Sequence, residues 1–316
     1  MPDSLVIALG GNALMPPGHQ MSIAEQRTTL RHSLAGVAEL VRLGQRVVIT
    51  HGNGPQVGHI LLRSEAGRGI AYELPVDVAV AQSQGEMGYL IQQALRESLH
   101  RHGADRSVVS LVTQVVVERS DAHFHRPTKP VGPWFGETQV EELKKRGWSL
   151  THDPHLGWRR LVPSPDPVRV VEMETIRKLY QDGTVVIAGG GGGIPVFQGA
   201  GVSLEGAEAV VDKDQTSATI AIEVGASRLV FLTGVEKVKL NLGRPDEQAL
   251  DRLTVVDANR YLEAGQFEAG TMRPKIEAAI RFLEKGGKEV IITRPERVVP
   301  AWDGVTGTRI SVDGKR

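Results

Sequence analysis

Leu5-Val6-Ile7-Ala8-Leu9-Gly10-Gly11-Asn12-Ala13-Leu14 begins with five apolar residues and breaks at a glycine pair. An apolar run this short, with no polar position in alternation, suits a strand covered on both faces, as in a parallel sheet. Similar runs return at Arg46 to Thr50, Ser107 to Val112, Thr184 to Ala188, Arg228 to Leu232 and Glu289 to Thr293. Between them lie longer amphipathic stretches. From Ser22 to Leu43, Leu30, Leu34, Val37 and Val41 recur at spacings of three and four, which puts them on one helical face, and Gly44 supplies a stop. Strand, helix, strand in repetition predicts an α/β fold with an open, mainly parallel sheet sandwiched by helices. In such sheets ligands sit at the carboxyl ends of the strands.

The 316 residues are 41% hydrophobic and 23% charged, enough to bury a large core. Lys plus Arg and Asp plus Glu number 37 each, so no overall field draws the chain to nucleic acid or an anionic membrane. With no cysteine there is no disulfide framework, thiolate nucleophile or cysteine-held zinc, which agrees with the expected cytoplasmic location. No apolar stretch approaches the roughly 18 residues of a membrane span, and Leu5 to Leu9, without a basic segment before it, reads as a strand rather than a leader.

One segment departs from the pattern. From about Glu118 to Pro165 the chain is rich in Pro, His and charge and carries Trp134, Trp148 and Trp158, three of its four tryptophans. Aromatics so concentrated predict a small protruding subdomain with its own miniature core.

Glycines cluster at strand ends. Gly10-Gly11-Asn12 follows the first strand, Gly52-Asn53-Gly54-Pro55 the second, and Gly189 to Gly193 the Thr184 run. Glycine lets backbone N–H groups approach an anion, and Pro55 suits the first turn of a helix, whose free N–H groups favour negative charge. Each loop alone is accounted for equally well by a tight turn, but three at strand ends point to one anionic ligand. A dinucleotide fingerprint is absent, because Ile194 stands where the last glycine belongs, and so is the GxxxxGK loop of common NTPases. Lysines offer another way to hold phosphate. Lys213 and Asp214 lie near the start of a predicted helix from Gln215 to Val224, and Lys275 opens a second, with Ile276, Ala279, Ile280 and Leu283 on its apolar face. Fixed cations can stabilise the charge of a transferring phosphoryl group without a covalent intermediate, and Asp214 is placed to orient them.

With these residues in view the chain resembles the carbamate kinases, a branch of the amino acid kinase family. The resemblance runs through Gly10 to Leu14, His51 to Gly58, Pro75-Val76-Asp77 with Ala81 to Gly85, Pro127 to Pro133, Arg159 to Pro165, Gly189 to Val196, Val211 to Asp214, Leu232 to Val235 and Pro274-Lys275. The inserted Thr128-Lys129-Pro130 is what separates carbamate kinases from relatives acting on acetylglutamate, aspartate or UMP.

The resemblance implies an N-terminal lobe (1–205) on the carbamate and carbamoyl phosphate side, containing the protruding subdomain at about 118–165. It implies a C-terminal lobe (206–316) for the nucleotide. Lys213 and Lys275 would sit on the phosphoryl group, Lys129 would reach in from the subdomain and Asp214 would hold the lysines. Gly10, Gly11, Asn12, Gly52, Asn53 and Gly54 would line the phosphoryl and carbamate end, and Gly190, Gly191, Thr233, Val235, Val238 and Met272 the nucleotide. Gly234 and Lys239 depart from the aspartate and aromatic residue that many members carry there. The implied reaction is reversible phosphoryl transfer between ATP and carbamate, in a homodimer, with Mg2+ arriving on ATP or ADP. Its favourable direction forms ATP from a mixed anhydride, so the expected role is catabolic, as in arginine breakdown or a purine-derived route. Two other readings stay open: an amino acid kinase for a different small carboxylate, and a nucleotide-binding regulator without turnover.

Other residues read more plainly. His123, His125, His152 and His155 are taken as solvated loop residues and no metal site is expected from them. Arg159 and Arg160 are assigned to subdomain structure or salt bridging over substrate contact, and Gln82, Ser83 and Gln84, on a helix predicted from about Val76 to His102, to packing or a dimer face at least as readily as to a ligand contact.

Overall fold

The computed structural model describes residues 4–14, 22–268 and 270–313, without the side chains of Asn12 and Ala13. Its central sheet has eight strands: β1 (Ser4–Leu9), β2 (Arg46–His51), β3 (Val108–Ser110), β4 (Val185–Ile187), β5 (Arg228–Leu232), β6 (Arg252–Thr254), β7 (Glu289–Thr293) and β8 (Thr308–Ser311). Their order across the sheet is β6-β8-β7-β5-β1-β2-β4-β3. The six apolar runs form one contiguous parallel block from β7 to β3. Beyond β7 the sheet turns mixed, because β8 pairs antiparallel with β7 and parallel with β6. Those two strands, β6 at the edge and β8 beside it, are short and not uniformly apolar, and sequence periodicity does not single them out.

Each strand divides its side chains between two cores. Leu5, Ile7 and Leu9 face one side with Val47, Ile49, Val230 and Leu232, against Leu30, Leu34, Val37 and Val41 of the helix Ile23–Arg42. Val6 and Ala8 face the other with Val48, Val186, Leu229 and Phe231, against Ala218, Ile220, Ile276, Ala279 and Phe282. The helix Ile23–Arg42 starts at a reciprocal cap: Ser22 Oγ accepts from the Glu25 N–H at 3.1 Å, and the Ser22 N–H donates to Glu25 Oε2 at 3.1 Å. Gly44, at φ 88°, ends it.

Residues Lys129–Phe135, Gly157–Val162 and Ser149–Asp153 form a separate three-stranded antiparallel sheet. Phe135 meets the edge of Trp148, and the guanidinium carbons of Arg146 and Arg160 lie 4.1 and 4.3 Å from that indole. Arg159 donates to Gly132 O at 3.0 Å and Arg160 to Glu208 at 2.7 Å, so both arginines serve the structure of this segment. A third apolar cluster seats it on the main body: Val131 and Val162 pack with Val57, Ile60, Leu61, Val80 and Val196. Among the described residues, the one group of three side chains spaced to share a metal is Asp121, His123 and Asp166. Asp121 is already occupied there, accepting from His123 and from the Asp166 N–H. No helix among the described residues is long and apolar enough to cross a membrane.

Candidate active site

β1 lies between β2 and β5, and the chain reverses its direction of growth across the sheet there. The loops after β1, β2, β4 and β5 consequently open at one sheet edge, the switch point where α/β folds bind ligands. The loops are pressed together closely enough to demand glycine. The Gly10 N–H donates to Leu232 O at 2.7 Å, and a Cβ on Gly10 would lie 2.7 Å from that oxygen. Gly191, at φ 66°, leaves room for Asn53, whose Nδ2 would stand 1.9 Å from an added Cβ. Asn53 precedes the helix Gly54–Ala66 and donates Nδ2 to Ser83 Oγ at 2.7 Å, while Ser83 donates to Val80 O. Gln84 grips Gly190 O and both backbone groups of Thr113, so Ser83 and Gln84 act in packing.

The charged residues converge on the start of the helix Lys213–Glu223. Asp212 caps it, Oδ1 accepting from the Asp214 N–H at 2.9 Å, and Oδ2 takes the Lys129 ammonium at 2.9 Å. Two residues on, Asp214 binds Lys213 through Oδ1 and Lys275 through Oδ2, the latter at 3.0 Å. Lys275 also donates to Thr271 O at 3.0 Å. Burial alone would raise the Asp214 carboxyl, but the two ammoniums outweigh it and hold the group below the ordinary aspartate range. Burial, reinforced by the charge of Lys213, lowers Lys275 against the pull of Asp214. The Lys213 stem lies over Gly52, its Cε 3.6 Å from where a Cβ would stand.

A cavity of about 500 Å³ opens from this cluster. Gly10, Gly11, Asp212, Lys213, Asp214 and Lys275 line its charged end; Thr233, Val235, Leu242, Phe267 and Met272 give it apolar and neutral walls, with Lys237, Lys239, Gln266 and Glu268 around them. Gly234 and Lys239 both face it, and Lys239 pairs with Glu247. Three residues expected at the nucleotide do not line this cavity. Val238 is fully buried beneath the cavity, its N–H donating to Thr308 Oγ1 at 2.8 Å. Gly190 and Gly191 are buried against His51 and Asn53, where β2 and β4 end, so their glycines serve loop packing. The Asn12 side chain lies outside the described residues. Two residues that join the site were not singled out from sequence. Asp212, an aspartate just ahead of a helix, carried a readable capping signal; His51, beneath Gly52, carried none.

The sequence model of the amino acid kinase family matches residues 3–294. The chain belongs to the amino acid kinase family. Among the relatives of this amino acid kinase, the carbamate kinase of Pyrococcus horikoshii is 47% identical over 315 residues, covering 98% of this chain and all of that one. The carbamate kinase-like protein YahI of Escherichia coli is 44% identical over 318 residues, covering 98% and 99%. In three dimensions, this amino acid kinase superposes on the carbamate kinase from Giardia lamblia bound to AMP-PNP with a TM-score of 0.94, at 36% identity and 99% coverage of both chains.

Proposed function

We propose that this amino acid kinase is a carbamate kinase, catalysing reversible phosphoryl transfer between carbamoyl phosphate and ADP. The observation that carries the reading is Asp214 holding Lys213 and Lys275 side by side at the charged end of the cavity, with Lys129 bridged to the neighbouring Asp212. The likeness to proteins named carbamate kinase over nearly the whole chain supports the substrate.

In the direction that forms ATP, a terminal phosphate oxygen of ADP attacks the phosphorus of carbamoyl phosphate, and the bond to the carbamate oxygen breaks. Both nucleophile and leaving group are already anions, so no general base is required. The chain's work is to gather the reactants and balance the charge spreading over the equatorial oxygens. Lys213 and Lys275 supply that charge, and Asp214 fixes their ammoniums. Lys129 joins from the protruding subdomain. In this reading Gly10, Gly11, Gly52, Asn53 and Gly54 face the phosphoryl and carbamate end in the N-terminal lobe, and Thr233, Val235 and Met272 face the nucleotide in the C-terminal one.

Magnesium would arrive on the nucleotide. Asp212 and Asp214, the carboxylates nearest the phosphoryl end, are already engaged by lysines, which suits an ion held by phosphate oxygens and water. We also assign the enzyme to a cytoplasmic, catabolic setting and to a homodimer, on the family likeness. The deciding assay is ATP formation from carbamoyl phosphate, ADP and magnesium, with a no-enzyme control and Lys213→Ala alongside. Turnover abolished by the substitution is expected. A folded, ADP-binding wild type without turnover would overturn the reading in favour of another acyl phosphate or a regulator.

A further inference from the structure

His51 takes no part in the steps above, yet its imidazole is buried directly under the loop that meets Lys213. Nδ1 lies 2.8 Å from the carbonyl oxygen of Gly52. A carbonyl oxygen only accepts, so the ring proton is on Nδ1 and His51 is the donor. The peptide after Gly52 is trans, so the Asn53 N–H points opposite to that carbonyl. Among the described residues this N–H has no acceptor, and it stands at the start of the helix Gly54–Ala66, where backbone donors and the helix dipole favour an anion. The Lys213 stem passes over the adjacent Gly52.

We propose that His51 is a positioning residue: its Nδ1–H holds the Gly52 carbonyl inward and so presents the Asn53 N–H, beside Lys213, to the transferring phosphoryl group. Without that donor the peptide is free to turn its carbonyl oxygen toward an anionic substrate, replacing an attraction with a repulsion. The ring is held in place from its other edge, since a Cβ on Gly190 would stand 2.4 Å from Nε2. Burial, aided by the charge of Lys213 and opposed by the Gly52 bond, lowers the imidazole to about 4, so the neutral donor form persists at neutral pH. The inference rests on the phosphotransfer reading.

The test compares His51→Leu, which fills the space without a donor, with His51→Asn, whose Nδ2 falls near the position of Nδ1. The Leu variant is expected to lose at least about tenfold in kcat, while Asn stays within about threefold and KM for ADP changes by less than about twofold in both. Wild-type rates for Leu, equal losses in Leu and Asn, or a parallel rise in KM for ADP would overturn the proposal. Thermal melts accompany the kinetics. If Leu does not fold, His51→Gln, whose amide reaches the Nε2 rather than the Nδ1 position, serves as the variant without the donor. A wild type inactive on carbamoyl phosphate would count against the proposed function rather than against His51, and the same ratio is then read with the acyl phosphate that the wild type accepts.

Discussion

Lys275 Nζ lies 3.0 Å from Asp214 Oδ2, and both side chains are nearly sealed from solvent. Lys213 holds the other oxygen of the same carboxylate, so one anion keeps two cations together where a phosphoryl group would bring further negative charge.

Asp214→Asn removes the anion and leaves two ammoniums in mutual repulsion. Breaking a buried pair in this way costs about 3–5 kcal/mol. Urea unfolding is expected to show that loss, and kcat to fall by about a hundredfold or more. Stability and kcat both close to wild type would refute the arrangement.

Lys275 is lowered from the 10.5 of a free lysine, first by burial and then by Lys213. In the proposed reaction the protonated form is the one that serves catalysis, so kcat should decline as pH rises and reach half its plateau below pH 10.5. Since the native state releases this proton before the unfolded chain does, the group's contribution to stability grows with pH between its lowered value and 10.5. Asp214 has the opposite sense: held below its ordinary 3.8, it contributes stability above that value and loses it as pH falls through its lowered range. A pH–rate profile of Lys275→Arg, whose charge persists, should lack the alkaline decline.

Asp212 combines two tasks, capping the Lys213 helix and binding Lys129. Asp212→Ala should lower stability by about 1 kcal/mol for the cap and reduce turnover as well. Lys129→Ala leaves the cap intact and should reduce turnover less than Lys213→Ala does. In a double-mutant cycle the Asp212 and Lys129 effects on turnover should be non-additive, and strict additivity would show that the bridge is idle.

Gly191→Ala places a methyl group 1.9 Å from Asn53 Nδ2 at a positive φ. It is expected to lower the melting temperature and displace Asn53. Gly85→Ala, exposed on the helix Val76–Arg101 with nothing within 4 Å of the new carbon, should instead stabilise by about 0.5–1 kcal/mol. A similar response at both sites would argue against the loop packing described for Gly191.

Much of the framework was legible in the sequence because it depends on local pattern. Six apolar runs became six adjacent parallel strands, and the face of Leu30, Leu34, Val37 and Val41 became a buried one. β6 went unread because its three residues are too few to show a pattern, and β8 because its four residues only alternate buried Thr308 and Ile310 with half-buried Arg309 and Ser311. Val238 was read as a pocket residue when it lies in the core below, since an apolar residue near a site looks the same in sequence whichever way it points.

By itself the sequence determined which segments form the parallel block of strands and the helix over it, where glycine permits tight loops, and which residues carry charge near them. Those properties follow from side-chain period, backbone freedom and ionisation, all local to a few residues. Only the tertiary structure decided that Lys275 meets Asp214 across 61 positions and Lys129 meets Asp212 across 83. It alone placed the proton of His51 and put Gly190 and Gly191 against the β2 loop. Such relations depend on strand order and on the packing of whole helices, which are fixed by the sum of the core contacts and not by any motif that takes part in them.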